Sequence, residues 1–127
     1  MAELDAADLA LARSCVDTDP EVDPGEEGDD PWWRLIELVA DDSHRALNVA
    51  LAVSELTDDV NVLAVLGAGA VEELLTKATD ENLERILLEA RRRPSFRMAF
   101  RCVWTSSMPP AVKARVDEAL AAYGGNL

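Results

Sequence analysis

Apolar residues recur along most of this 127-residue chain at intervals of three and four positions, whereas the strict alternation of a β-strand is hardly seen. Intervals of three and four place side chains on one face of an α-helix. A clear case is the set Leu83, Ile86, Leu87 and Ala90, which would line one side of a single helix. The pattern therefore predicts an all-α protein.

Helix start and stop signals divide residues 31–127 into seven predicted helices. They begin near Pro31, Asp41 and Thr57, just after Gly69, and then near Thr79, Pro94 and Ser107. The third is expected to end at Gly67, and Gly124-Gly125 should stop the last. Because the connections are short, consecutive helices should be antiparallel neighbours. The expected fold is about seven short antiparallel helices in a compact bundle or a short stack of helical hairpins.

Two further segments precede this domain. Leu4, Ala7, Leu11 and Cys15 form an amphipathic stripe, which predicts a helix over about residues 3–16. Residues 17–30 then combine acids with two prolines and two glycines, which predicts an extended linker. Its eight acids are Asp17, Asp19, Glu21, Asp23, Glu26, Glu27, Asp29 and Asp30. The expected organisation is an N-terminal helix (1–16), an acidic linker (17–30) and a helical domain (31–127).

The negative charge is concentrated at the start of the chain. The formal net charge is −13, and residues 1–31 hold eleven acids against Arg13 alone. A net acidic protein is repelled by nucleic acid and by anionic membranes, so a basic protein is the expected partner and free nucleic acid or a membrane is not. The first residues lack the basic and apolar regions of a secretion signal, and cytoplasmic residence is the expectation.

Residues 85–101 carry the opposite charge, with six arginines and a single acid, Glu89. Arg97, Arg101 and Trp104 are spaced to share one helix face. Guanidinium groups beside an indole suit the binding of carboxylates or phosphates and are frequent at protein interfaces. The alternative is a solvated face whose arginines pair with acids of neighbouring helices.

Two adjacent tryptophans add a further candidate. Trp32 and Trp33 cannot both point into one core from one helix, so one of them should pack on the linker, the first helix or a partner. The candidate partner- or anion-binding residues are Arg91, Arg92, Arg93, Arg97, Arg101, Trp104 and Trp33.

No constellation of catalytic or cofactor-binding residues stands out. The stretch Gly67-Ala68-Gly69 lacks a phosphate-binding signature and is expected to be a plain turn between two helices. His44, the only histidine, should be a solvated surface residue, and Cys15 and Cys102 small buried hydrophobes. The carboxylates fall at helix starts or in the linker, where they should be exposed. We therefore expect no metal site, no cofactor and no enzymatic activity.

Three stretches and the Trp32-Trp33 entry helix resemble a bacterial family of small all-helical domains of unknown function. The stretches are GAGAVEELL from Gly67, FRMAFRCVW from Phe96, and Met108-Pro109 with the helix that follows. The resemblance covers about residues 31–122. It implies an all-helical fold and a bacterial origin, and it supplies no reaction and no catalytic residues.

Two functional hypotheses follow from the charge distribution. In the first, the protein is a non-enzymatic interaction protein that neutralises a basic partner, as an immunity protein or an antitoxin does. In the second, it is an anion- or peptide-binding helical module that is inhibited by its own acidic linker, residues 17–30, which would lie over the arginines of residues 91–101. Both rest on attraction between charges, so both interactions should weaken as salt shortens the screening length.

Overall fold

The structure of the chain, a computed structural model, describes residues 4–18 and 30–126. These residues form helices and connections without a strand, which confirms the all-α prediction. The helices are α1 (Ala6–Asp17), α2 (Pro31–Asp41), α3 (Ser43–Leu56), α4 (Val60–Leu66), α5 (Glu72–Thr76), α6 (Asp80–Arg92), α7 (Pro94–Phe100) and α8 (Pro110–Ala122). A π-helical turn, Gly67–Val71, joins α4 to α5.

Local capping signals set several helix ends as predicted. The Asp30 carboxylate accepts a hydrogen bond from the Trp32 N–H at 3.0 Å, and Pro31 occupies the first position of α2. Gly124 and Gly125 have φ angles of +93° and +91°, a conformation that other residues rarely adopt, and they end α8. Short polar or conformationally special residues therefore mark these ends in the sequence itself.

The predicted break at Gly67-Ala68-Gly69 is wrong, because the helix continues through it. Gly67 is right-handed helical, and the Glu72 N–H donates to the Gly67 carbonyl five residues back, which is the π pattern. A side chain at position 67 would place its Cβ 2.0 Å from the Ala99 carbonyl oxygen of α7. Glycine is present there because two helices touch at their backbones, and the chain does not reverse.

The buried apolar side chains form one continuous core. Its largest members include Leu47 of α3, Leu66 of α4, Ile86 of α6, and Phe96 and Phe100 of α7. Each of these helices therefore contributes to a shared interior, as in a compact bundle.

The helix α1 packs against both α2 and α3. Asp8 near the start of α1 pairs with Arg45 near the start of α3. Leu11 of α1 also lines one concavity together with Arg34 and Leu38 of α2. The three helices form one corner of the domain.

The predicted stripe on α1 is only partly correct. Leu11 and Cys15 are buried, but Ala7 is exposed, and Asp8 and Ala12 are buried in its place. The stripe is rotated toward the side where the Asp8 carboxylate can reach Arg45. Most of the predicted acidic linker, residues 19–29, lies outside the described residues. Among the helices that the structure describes, none is long and apolar enough to cross a membrane.

Candidate functional site

The predicted arginine cluster is divided by the fold. The Arg97 guanidinium donates to the Ala90 carbonyl at 3.1 Å and to the Arg91 carbonyl at 2.6 Å, and it lies 5.1 Å from the centre of the Tyr123 ring. Arg101 donates to the Gly125 carbonyl at 3.0 Å. Arg97 therefore ties α7 to the end of α6 and to Tyr123, and Arg101 holds Gly125, so both side chains serve the fold.

Trp104 does not share a helix face with these arginines. The helix α7 ends at Phe100, and Trp104 lies beyond it with 73% of its surface exposed. Its backbone N–H donates to the Glu72 carboxylate at 2.7 Å, which anchors the segment to α5. The predicted shared face is wrong because the helix ends four residues before Trp104.

Two arginines at the end of α6 surround a buried acid. Glu89 is 6% exposed and accepts from the Arg93 guanidinium, which also pairs with Glu55 of α3. Arg92 is farther away, with 3.5 Å between its nitrogen and the Glu89 oxygen. The expectation that the acids of this chain are exposed is therefore wrong for Glu89, as it is for Asp8.

A groove of about 650 Å³ runs between α6 and α8. Leu87, Leu88, Ala119 and Ala122 give it an apolar floor. Charged residues surround the floor: Glu84, Arg85, Arg91, Arg115 and Glu118. A salt bridge between Glu84 and Arg115 crosses the groove, and the hydrogen bond from Arg115 lowers the pKa of the Glu84 carboxyl.

A second concavity of about 430 Å³ lies on the other side of α6, between α6 and α3. It contains the exposed His44 and is lined by Asn48, Glu89 and three arginines: Arg85, Arg92 and Arg93. Arg85 lines both concavities, and its guanidinium is held by the Asn48 side-chain oxygen at 2.6 Å. The helix α6 is therefore a ridge between two depressions.

We call the outer side of this ridge the α6 face, defined by Arg85, Leu88, Arg91 and Arg92 of α6 with Arg115 of α8. Leu88 is 43% exposed at its centre, and Arg91 forms no ion pair within the described residues. Taken together, the linings of the two concavities hold five arginines against three glutamates, on a chain whose net charge is −13. An apolar centre with guanidinium groups around it suits protein recognition.

Leu88 is a feature of this face that could be recognised in the sequence, although the helical pattern alone does not show what Leu88 contacts. Leu88 falls outside the inward stripe of Leu83, Ile86 and Ala90, so it had to be solvent-facing or contact another element. The groove itself depends on α8 lying beside α6, which is a long-range contact. Periodicity gives the inward face of each helix but does not identify its neighbour.

The remaining predicted site residues are Trp33 and the eight acids of the linker. Trp32 packs against the core, and Trp33 is 47% exposed, as expected for an adjacent pair. Of the eight linker acids, Asp17 is the exposed last residue of α1 and Asp30 caps α2. The other six lie outside the described residues. The hypothesis that the acidic segment covers the arginines of residues 91–101 stays a prediction.

The two cysteines differ in burial. Cys15 has no exposed surface, and burial raises the pKa of its thiol to about 12; the Asp30 charge adds to this and Arg34 opposes it. Burial also raises the pKa of the half-buried Cys102 thiol, which Arg101 opposes. Both thiols are therefore protonated and poorly nucleophilic near neutral pH. No group of three or more potential metal ligands comes together in residues 4–18 and 30–126.

The raised pKa of Cys15 predicts a loss of stability at alkaline pH. The unfolded thiol ionises near pH 9.0 whereas the folded thiol resists ionisation until about pH 12, so the contribution is complete below pH 9 and is lost as pH rises toward 12. Between pH 9 and pH 10.5 the free energy of unfolding should fall by about 1–2 kcal/mol more in the wild type than in Cys15→Ala.

Urea unfolding at the two pH values measures this difference. Cys102→Ala provides the control, because its thiol is only partly buried and its removal should alter the alkaline slope less. If the free energy of unfolding falls equally between these pH values in the wild type and in Cys15→Ala, the loss of stability does not come from the Cys15 thiol.

Comparison with known proteins adds one finding to this geometry. No curated protein and no solved structure matches the chain. A family of unknown function, DUF6869, matches residues 21–124, a span that includes α2 to α8 and leaves α1 outside. Because the match extends over most of the sequence, the chain belongs to this family of unknown function.

Proposed function

We propose that this protein is a non-enzymatic interaction protein of bacterial origin that binds a partner protein through the α6 face. The observation that carries the proposal is the groove between α6 and α8, in which Leu88 stands exposed among arginines. Singly exposed leucines are common on protein surfaces. A leucine at the edge of an apolar groove of about 650 Å³ is a more specific feature, because a partner side chain can be buried there.

The chemistry of the face defines the partner. The apolar floor fits an aliphatic or aromatic anchor, and the surrounding guanidinium groups fit carboxylates on either side of it. Arg85 is already oriented by Asn48, and Arg115 by Glu84, so less conformational freedom is lost when they bind. The partner segment is therefore expected to be acidic, with one large apolar residue.

Two substitutions test the role of the face. The full-length wild type and its Leu88→Asp and Arg91→Glu variants serve as baits in an extract of the cells that naturally produce the protein. Affinities for the retained protein are then measured by calorimetry. Leu88→Asp should weaken binding at least about 30-fold, since central apolar anchors are worth about 2 kcal/mol or more. Arg91→Glu should weaken it as well, with a reduced dependence on salt.

Matched substitutions on other surfaces provide the controls. Leu56 is 43% exposed, the same fraction as Leu88, and it lies at the end of α3. Leu56→Asp introduces the same charge, and Arg13→Glu reverses a charge on the exposed side of α1. Both control variants should bind as the wild type does. A partner that binds Leu88→Asp and Leu56→Asp equally well would refute the proposal.

The charge of residues 1–31 favours a second candidate function, neutralisation of a basic protein in the manner of an immunity protein or an antitoxin. Residues 1–31 hold eleven acids against one base, and acidic segments attract basic partners at high rates. The bait series separates the two candidates when it includes a chain whose six acids in residues 19–29 are changed to Asn or Gln. Loss of a basic partner with this chain, and its retention by Leu88→Asp, would favour neutralisation. The reverse pattern would favour the α6 face.

A further inference from the structure

The helix α1 lies outside the residues that match the family. The match begins at residue 21, after α1 has ended at Asp17. Yet α1 covers the corner that α2 and α3 form within the matched residues. We call the face of α2 and α3 that α1 covers the α1 seat.

The contact between α1 and its seat combines one ion pair with apolar packing. The Arg45 guanidinium binds the Asp8 carboxylate through two hydrogen bonds, of 2.7 and 3.2 Å, and Asp8 is 5% exposed. Leu11 supplies the one large buried aliphatic side chain of α1, while Ala12 and Cys15, both fully buried, are small enough for the helix backbones to approach closely. Recognition therefore depends on one ion pair and a short apolar stripe.

The connection from α1 to α2 is longer than their positions require. Helix α1 packs directly against α2, since Leu11 of α1 lines one concavity together with Arg34 and Leu38 of α2. Neighbouring helices in a bundle are usually joined by about 2–8 residues. Here residues 18–30 separate them, a length that could reach roughly 45 Å if extended. The covalent connection is therefore long enough for α1 to leave its seat while the rest of the domain stays folded.

We propose that the α1 seat is a docking surface for an amphipathic helix of a partner protein, and that α1 occupies it in cis as a displaceable substitute. The partner helix carries a carboxylate in its first turn to meet Arg45. It has a large aliphatic residue three positions later, and small residues four and seven positions later. This is the pattern of Asp8, Leu11, Ala12 and Cys15 in α1 itself. The surface is separate from the α6 face, so it can act as a second interaction site.

A peptide corresponding to residues 4–18 is the probe for this surface. Labelled with fluorescein, it is titrated into the full-length wild type and into full-length Leu11→Asp, whose own α1 is expelled by a charge at its buried position. Leu11→Asp should bind the peptide at least about 10-fold more tightly, because the tethered helix of the wild type competes at a high effective concentration. Adding Arg45→Ala to Leu11→Asp should weaken this binding about 10-fold or more.

Arg13→Asp is the matched control, since it adds a carboxylate to the exposed side of the same helix. It should bind the peptide as weakly as the wild type. A folded Leu11→Asp that binds the peptide no better than Arg13→Asp would overturn the proposal, and so would binding that is indifferent to Arg45→Ala.

Thiol labelling of a Cys102→Ser chain tests the proposal even if Leu11→Asp does not fold. Cys15 is then the only thiol, and it becomes reactive only when α1 leaves its seat or the whole domain unfolds. The opening constant from labelling should exceed the constant for global unfolding, measured in urea, by about 100-fold or more. Equal constants would mean that α1 opens only with the whole domain, and would overturn the proposal.

Discussion

Gly67→Ala is expected to destabilise the domain by at least about 3 kcal/mol, because the added methyl group has no room. Its Cβ would lie 2.0 Å from the Ala99 carbonyl oxygen and 2.9 Å from the Cys102 Cβ. The obstruction is backbone, which cannot change rotamer as a side chain can. The π turn that contains Gly67 would have to move away from α7, and the buried Phe96 and Phe100 on α7 would lose contacts. Urea denaturation followed by circular dichroism measures the loss.

Gly69→Ala is the matched control, two residues away in the same π turn. A Cβ there meets only the Ile36 Cδ1 atom, at 3.6 Å, which is an ordinary contact. Alanine also favours a helical backbone by up to about 1 kcal/mol over glycine, so this variant should be as stable as the wild type or more stable. Equal stabilities for the two variants would show that Gly67 is not in close contact with α7.

Glu89→Gln is expected to lower the free energy of unfolding by about 2 kcal/mol. The carboxylate is buried against Arg93 and near Arg92, and hydrogen bonds to charged groups contribute about 1.5–3 kcal/mol. Glutamine keeps the volume of the side chain but removes its charge, so Arg93 loses one of the carboxylates that it binds. Because Glu89 lines the concavity between α3 and α6, the change should also loosen the arginines there.

Glu81→Gln provides the comparison, since it makes the same chemical change at an exposed position of the same helix. Its stability should stay close to that of the wild type. Thermal and urea unfolding of the three proteins give the result. A Glu89→Gln protein as stable as Glu81→Gln would mean that Glu89 and its arginines contribute no more than an exposed pair.

Capping residues and apolar periodicity predicted most of the helices correctly. Asp30-Pro31 and Gly124-Gly125 act locally, and local signals can be recognised without knowledge of the fold. Gly67 is the instructive exception. Glycine is a frequent helix terminator, but here it is needed because the backbone of Ala99, 32 positions later in the chain, leaves no room for a Cβ. The sequence shows the glycine and not the contact that requires it.

The candidate site was predictable only in composition. The sequence singles out the arginines of residues 91–101, but the fold directs Arg97 toward Tyr123 and leaves Arg91 free of ion pairs within the described residues. Which arginine serves stability and which is available to a partner depends on where α8 and the end of the chain lie. Asp8 and Glu89 were missed for the same reason, since their burial depends on the arginines that pair with them.

The π turn also has a consequence for how sequences of this family can vary in length. A π turn closes over one more residue than an α turn, so α4 and α5 keep their packing only because one additional residue is accommodated between them. Removal of a single residue from Gly67–Val71 would restore an ordinary helix and rotate Leu74 and Leu75 by about 100° away from the core they now occupy. The number of residues from Val60 to Thr76 is thus a structural constraint, and a relative one residue shorter in this helix must pack its interior differently.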